Sequence, residues 1–150
     1  VDYVNRESLF PKEFTLEEMT VSQTAARKGI DNVPTGQALL NLSDTAWSMV
    51  DVRALLGNKP IIVSSGYRSP ALNKVVGGSD TSAHTLGLAV DFTCPGFGKP
   101  LAIAKALSTS DLKYDQLIHE FDSWVHISFD KRMRQQDLTI NKSGTKTGLH

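Results

Sequence analysis

The hydrophobic period of this chain changes at Gly57, and that change limits the folds open to it. Over residues 37–56 the apolar positions recur mostly at helical spacing, which predicts the longest helix of the chain. After Gly57, the β-branched residues of 60–66 predict a buried strand, and residues 87–93 alternate as a half-buried strand does. Helices therefore come early and strands come late. This order predicts a single α+β domain whose sheet is mainly antiparallel and covered by helices on one face.

Shorter elements are predicted from their end signals. Thr15 and Glu18 form a capping box that begins a first helix, and Gly29 ends a second one over residues 22–28. The remaining predictions are a helical turn over 70–76, a helix over 100–107 and a hairpin of strands 114–121 and 124–129. Residues 141–150 are polar and contain glycine, which predicts a loose tail behind a domain of residues 1–140.

Composition narrows the class of protein. The 150 residues carry 16 basic and 16 acidic side chains, so the basic face typical of nucleic-acid binding is not expected. Cys94 is the single cysteine, which excludes an intrachain disulfide and is compatible with synthesis in a reducing cytosol. No stretch approaches the roughly 18 apolar residues of a membrane span. Residues 1–7 lack the pattern of a signal peptide. We therefore expect neither nucleic acid as a partner nor membrane insertion.

Two of the four histidines lie in distinctive settings. His84 precedes the strand whose polar face carries Asp91, and Gly87 allows the chain to turn sharply between them. His126 lies within the last predicted strand. Two imidazoles and one carboxylate are typical ligands of a catalytic zinc ion, which keeps a fourth position for water. The spacing alone is equally compatible with a capping histidine in a loop and an aspartate at a strand end.

Several motifs together resemble those of one family. They are Gly66-Tyr67-Arg68-Ser69-Pro70, Val76-Gly77-Gly78-Ser79, Ser82-x-His84-x-x-Gly87-x-Ala89-x-Asp91 and Trp124-Val125-His126. In these the chain resembles the D-alanyl-D-alanine carboxypeptidase-type zinc peptidases, which share a fold with the hedgehog signalling domain. The likeness is strongest to the short forms of bacteriophages and prophages, and it covers residues 14–129.

The resemblance implies a role for each matching residue. Zinc would be bound by His84, Asp91 and His126. Arg68 would be catalytic, binding a substrate carbonyl or carboxylate and stabilising charge in the transition state, a task that suits a planar guanidinium. Its alternative is an ion pair on the surface. Ser82 and Tyr67 are the candidates for substrate binding, and Ser82 is equally suited to capping its loop.

The general base is the point where the chain departs from the family pattern. Many relatives place the catalytic carboxylate three residues before the last histidine, where this chain has Ser123. Glu120 and Asp122 are the remaining candidates. A hairpin loop over residues 122–124 would segregate apolar from polar side chains and place Glu120 beside His126. The pattern therefore predicts Glu120 as the general base, with Asp122 as the alternative.

The resemblance predicts a zinc-dependent peptidase that cleaves stem or cross-link peptides of peptidoglycan. It would act as a phage endolysin or as a D,D-carboxypeptidase or endopeptidase, and it would work as a monomer. Such a protein would be made in a host cytoplasm without a signal peptide. It would act in the periplasm or cell wall, or be carried on a phage particle. The alternative is a binding or virion structural module of the same fold that holds zinc without turnover.

Overall fold

Residues 6–150 are described by the structure, a computed structural model, and contain five α-helices and six β-strands. The helices are α1 (Leu16–Met19), α2 (Gln23–Lys28), α3 (Gly36–Leu55), α4 (Pro70–Val75) and α5 (Pro100–Ser108). The strands are β1 (Ile62–Ser65), β2 (Ala89–Thr93), β3 (Gln116–Glu120), β4 (Trp124–Ser128), β5 (Gln136–Asn141) and β6 (Gly144–Thr147). Short 3-10 helices lie at Arg6–Leu9 and Ala83–Leu86. The predicted helices and the first four strands are all present, with slightly different bounds.

The six strands form one sheet in the order β1-β2-β4-β3-β5-β6. Every neighbouring pair is antiparallel except β3 and β5, which run parallel. The mainly antiparallel α+β fold predicted from the order of elements is thereby confirmed. In the middle of the sheet, β2 pairs with β4 so that Asp91 lies directly opposite His126.

The core lies on one face of this sheet, under α3 and α5. The buried face of α3 consists of Leu42, Ala46, Met49 and Val52. Facing it and α5 are the buried strand residues Val90, Phe92, Leu117, Val125 and Ile127. Burial of each large apolar side chain contributes about 1.5–3 kcal/mol. Because side chains alternate along a strand, the residues between these point to the other face, where the polar groups lie.

The β3–β4 hairpin differs from its predicted register. Glu120 pairs with Trp124, so the loop consists of residues 121–123 and the predicted loop over 122–124 is wrong. Phe121 and Asp122 both adopt left-handed backbone conformations with φ of 52°, a geometry that the apolar pattern does not reveal. The pairing is displaced by two residues, which leaves the faces unchanged. Glu120 and His126 consequently share a face, as the pattern predicted.

The tail predicted to be loose contains a strand instead. β6 pairs antiparallel with β5, the amide of Gly148 donates to the Asp137 carbonyl, and His119 Nδ1 donates to the carbonyl of His150. All four residues of β6 are exposed. The strand is held by its backbone, so its sequence carries no alternation from which it could be predicted.

None of the helices within residues 6–150 is long and apolar enough to cross a membrane. The expectation about a signal peptide rests mostly on residues 1–5, which lie outside the described residues.

Candidate metal centre and substrate cleft

A short 3-10 helix places His84. Ser82 caps this turn, and Gly87 ends it with φ of 76°. The turn is fastened to α3, because Thr45 Oγ1 donates to the Gly87 carbonyl at 2.8 Å. There is also no room for a larger residue, since a Cβ on Gly87 would lie 2.5 Å from the carbonyl oxygen of Ala38. His84 is therefore fixed in place and only 2% exposed.

The sheet brings the other two candidate ligands to His84. Asp91 Oδ1 lies 3.2 Å from His84 Nε2 and 2.9 Å from His126 Nδ1. One ligand atom from each of the three residues lies within 4.8 Å of the others, a spacing that suits a single metal ion. The two imidazole rings meet edge to face, with centroids 5.1 Å apart. The predicted ligand set is thus assembled in one place.

The hydrogen bonds of His84 indicate whether a cation can lie between its Nε2 and Asp91. Its Nδ1 lies 2.7 Å from the Gly66 carbonyl oxygen, which can only accept, so Nδ1 carries the proton. Burial lowers the pKa of His84 and favours the neutral ring, although Asp91 acts in the opposite direction. Neutral His84 then presents the bare lone pair of Nε2 to a carboxylate oxygen. Two acceptors at that distance repel each other unless a cation lies between them, and a carbonyl behind a histidine is the usual support of a metal ligand.

Asp91 is ready to act as an anionic ligand. Burial by itself would raise its pKa, but the neighbouring imidazoles of His126 and His84 outweigh burial and lower the pKa far below the usual range. The carboxylate is therefore ionised at neutral pH. Two imidazole nitrogens and one carboxylate oxygen fit zinc better than they fit magnesium or calcium, which prefer oxygen ligands throughout.

The metal centre opens into a cleft of about 900 Å³. Its walls are formed by the turn between α1 and α2, by strand β1, by the start and end of α4, and by the β3–β4 hairpin. Arg68, Asp91, Glu120 and Trp124 all line it. An elongated ligand lying in this cleft would meet the metal ligands, an acid and a cation together.

Glu120 and Asp122, the two candidates for the base, lie on different sides of the sheet. Glu120 Oε1 lies 4.0 Å from His126 Nδ1, and the Glu120 side chain is 17% exposed. Burial and the nearby Asp91 raise the pKa of Glu120 above its ordinary value. Asp122 is 82% exposed, and its Oδ1 lies 3.1 Å from His119 Nε2. Of these two carboxylates, only Glu120 lines the cleft.

Trp124 lies across the hairpin from Glu120. Its indole Nε1 is buried and has no partner within hydrogen-bond geometry among residues 6–150. It is nevertheless close enough to stabilise the Glu120 carboxylate and to reduce the rise in its pKa. The indole N–H is therefore a spare donor beside the candidate base.

Arg68 is the cation of the cleft. Burial lowers its pKa, whereas the negative charges of Asp91 and Glu120 raise it. Nη1 donates to Asn73 Oδ1 at 3.1 Å, while the buried Nε has no partner in the described part of the chain. Among the described residues no carboxylate lies within ion-pair distance of Arg68, so the contacts are not those of the surface ion pair given as its alternative.

The two candidates for substrate binding occupy other positions. Ser82 Oγ accepts from the His84 amide at 3.3 Å, which is the contact of a loop cap. Tyr67 is buried in the hydrophobic core. Neither residue lines the cleft. A role in substrate binding stays a prediction for both.

Three features of the site were missed in the sequence: the Gly66 carbonyl behind His84, the Trp124 indole and the amide of Asn73. A backbone carbonyl leaves no trace in a sequence. Asn73, however, lies within helix α4, where asparagine is a poor helix former and thus a sign of a specific contact.

Comparison with known proteins agrees with the motifs. The model of the family described as Peptidase M15 matches residues 12–128. The zinc D-Ala-D-Ala carboxypeptidase of Streptomyces albus G is 35% identical over 81 residues, which are 54% of this chain and 31% of that relative. The matched part of the relative is thus about a third of its length. The family match includes all three candidate metal ligands and the whole cleft, and the chain therefore belongs to the peptidase M15 family.

Proposed function

We propose that this protein is a zinc-dependent peptidase that cleaves stem or cross-link peptides of peptidoglycan. The observation that carries the proposal is the convergence of two imidazoles and a carboxylate within 4.8 Å at a cleft that also contains Glu120 and Arg68. The name of the similar carboxypeptidase supports both zinc and a substrate ending in D-Ala-D-Ala. The same proposal includes that the protein acts as a monomer, either as a phage endolysin or as a component of a virion.

The residues that would hold zinc are His84 through Nε2, His126 through Nδ1 and Asp91 through its carboxylate. When bound, zinc supplies a Lewis acid for a substrate carbonyl and lowers the pKa of a water molecule. Gly66 keeps His84 in the tautomer with a free Nε2.

Glu120 is proposed to accept the proton of the attacking water and to pass it to the leaving amine. Its raised pKa brings it closer to neutral pH, where a general base can also return the proton efficiently. The unpartnered indole N–H of Trp124 would steady the carboxylate in this task. Asp122 cannot replace it, because its side chain lies with His119 on the other side of the sheet.

Arg68 is proposed to stabilise the negative charge that develops on the substrate. It lines the cleft together with Asp91 and Glu120, and its Nε–H is unused by the described residues. A donor that is already in position when the charge appears lowers the barrier without reorganisation. The same guanidinium suits a substrate carboxylate, as a carboxypeptidase requires.

Digestion of purified peptidoglycan tests the proposal. A peptidase releases new amino or carboxyl termini without new reducing sugar ends, and a chelator abolishes the release until zinc is restored. Separation of the products by mass spectrometry shows which bond is cut and distinguishes a carboxypeptidase from an endopeptidase. Zinc-loaded protein that binds peptidoglycan without forming any new terminus would instead identify a binding module.

A further inference from the structure

We propose that Asn73 is a positioning residue for Arg68, and that Gly78 is needed because it leaves the space in which their side chains meet. The inference rests on the use of Arg68 proposed above, since it concerns how that guanidinium is held. Asn73 itself would touch neither substrate nor metal, because it lies behind Arg68 and does not line the cleft.

The side-chain amide of Asn73 is buried, and hydrogen bonds fix its orientation. The residue is 2% exposed. Nδ2 donates to the Ser79 carbonyl at 2.8 Å, which fixes the orientation of the amide and turns Oδ1 toward Arg68 Nη1. The backbone carbonyl of Asn73 also accepts from the amide of Gly78 at 2.9 Å. The loop after α4 thus folds back on the helix and determines where Oδ1 lies.

Gly78 packs against this contact. A Cβ at this position would lie 2.1 Å from Asn73 Oδ1 and 2.8 Å from Arg68 Nη1. The backbone of Gly78 is not in the left-handed region, unlike that of Gly77, so conformation does not demand glycine there. Glycine is needed at this position because the side chains of Asn73 and Arg68 occupy the volume that any larger residue would require.

The backbone of Arg68 is fixed separately from its side chain. Its amide donates to the His84 carbonyl at 3.1 Å, next to the metal centre. The buried amide of Asn32 holds the neighbouring residues, donating to the Tyr67 carbonyl and accepting from the Ser69 amide. The guanidinium, however, makes its hydrogen bond to Asn73 and to no other described residue. Without that bond a long side chain on a rigid backbone would regain its rotamers.

Steady-state kinetics on the zinc-loaded enzyme test the proposal. Asn73→Ala and Gly78→Ala should each lower kcat by roughly ten- to a hundredfold with a smaller change in KM, because a displacement of about 1 Å is sufficient for such a loss. Gly98→Ala is the matched control. Its Cβ would meet only Ala102 Cβ at 3.5 Å, an ordinary contact, so wild-type kinetics are expected.

A double-mutant cycle separates positioning from general stability. If Asn73 acts through Arg68, then Asn73→Ala should cause no further loss of kcat in an Arg68→Ala background. A full additional loss in that background, or a wild-type kcat for both Asn73→Ala and Gly78→Ala, would overturn the proposal.

NMR of the arginine side chains provides a readout that does not depend on turnover. In the wild type the Arg68 guanidinium should give separate, slowly rotating Nη signals, and in Asn73→Ala these should average while the backbone spectrum persists. Unchanged signals in the variant would contradict the positioning role. A wild-type enzyme that hydrolyses no peptide but loses these signals in Asn73→Ala would show that the proposed function fails while the positioning holds.

Discussion

At the residue scale, the chemistry of the site depends on which nitrogen of His84 carries its proton. The Nδ1–H of His84 donates to the Gly66 carbonyl, and the other nitrogen faces Asp91 without a proton. His119 also has an oxygen atom beside each of its nitrogens, one from the exposed Asp122 and one from His150. Both histidines are buried, but of the two only His84 belongs to a group of potential ligand atoms within 4.8 Å, together with Asp91 and His126.

Replacement of His84 by alanine is expected to abolish zinc binding, because two of the three ligands cannot hold the ion alone. His119→Ala is the control, since it removes an equally buried imidazole on the far side of the sheet and should retain about one zinc per chain. Elemental analysis of the purified, zinc-loaded variants measures this. Full zinc occupancy in His84→Ala would refute the ligand assignment.

Replacement of Glu120 by glutamine should keep the zinc and lower turnover by about 10²–10⁴-fold, the usual worth of a positioned general base. Asp122→Asn should have little effect, because that side chain is exposed and away from the cleft. Zinc content and peptidoglycan hydrolysis are measured for both variants. An active Glu120→Gln together with an inactive, zinc-replete Asp122→Asn would move the base to Asp122.

In the sequence, the candidate metal ligands are easier to recognise than the groups that support them. His84, Asp91 and His126 lie in motifs whose residue types and spacing are visible along the chain. The faces of the hairpin also placed Glu120 beside His126, because a register error of two residues leaves faces unchanged. Asn73 and Trp124 meet their neighbours across space; the asparagine within a helix is a sign of a contact, but nothing along the segment identifies the partner.

At the scale of elements, prediction succeeded where burial imposes a period. Helix α3 buries one stripe against the sheet, so its apolar residues reveal it, and Gly29 revealed the end of α2 by its capping chemistry. β6 exposes every residue, so no apolar alternation in the sequence predicts this strand. Parallel pairing of β3 with β5 was equally hidden, because it depends on the path of the intervening chain.

The turn that carries His84 should be sensitive to the size of residue 87. Gly87→Ala must adopt a left-handed backbone and also push against the Ala38 carbonyl, and we expect it to lower the free energy of unfolding by about 2–5 kcal/mol. Gly29→Ala shares the left-handed backbone but has open space, so about 1–2 kcal/mol is expected. Denaturant titration of the metal-free proteins gives both values. Equal losses would show that packing against α3 is unimportant.

An ion pair between buried Asp115 and exposed Arg134 ties the start of β3 to the loop before β5. Asp115 is 1% exposed, and Arg134 donates to both of its carboxylate oxygens, at 2.8 and 2.9 Å. These hydrogen bonds hold the pKa of Asp115 below its usual value. A depressed pKa stabilises the fold above the ordinary pKa of aspartate, near 4, and this stabilisation is lost as the pH falls through the lower, folded-state value.

Asp115→Asn should therefore be less stable than the wild type at pH 7, and the difference should shrink as the pH falls below about 4. Asp111→Asn, which changes an exposed carboxylate, is the control and should follow the wild type. Thermal unfolding across the pH range measures the effect. A difference that does not depend on pH would mean that the ion pair does not cause it.

At the scale of the whole molecule, the sheet divides two tasks between its faces. Val90, Val125 and Ile127 pack under the helices, while Asp91 and His126, next to them in the same strands, belong to the candidate metal centre. These two candidate ligands are thus held by strands that the core makes rigid, which is the arrangement that keeps a site in its working geometry.

Zinc should stabilise the whole fold because the three ligands come together only in the native state. At free zinc a hundredfold above the dissociation constant, the free energy of unfolding should rise by about 2.7 kcal/mol. Thermal unfolding with and without zinc measures this, and His84→Ala should show no such rise. An equal response in the variant would mean that zinc binds elsewhere.

The pairing of Asp91 with His126 also predicts the order in which the candidate ligands come together during folding. His84 and Asp91 are 7 residues apart, but His126 lies 35 residues beyond Asp91 and arrives only when β4 joins β2. Closing so long a loop is slow and comes late. We therefore expect the ion to bind a sheet that is already built rather than to start folding. Binding should then lower the unfolding rate and leave the folding rate unchanged.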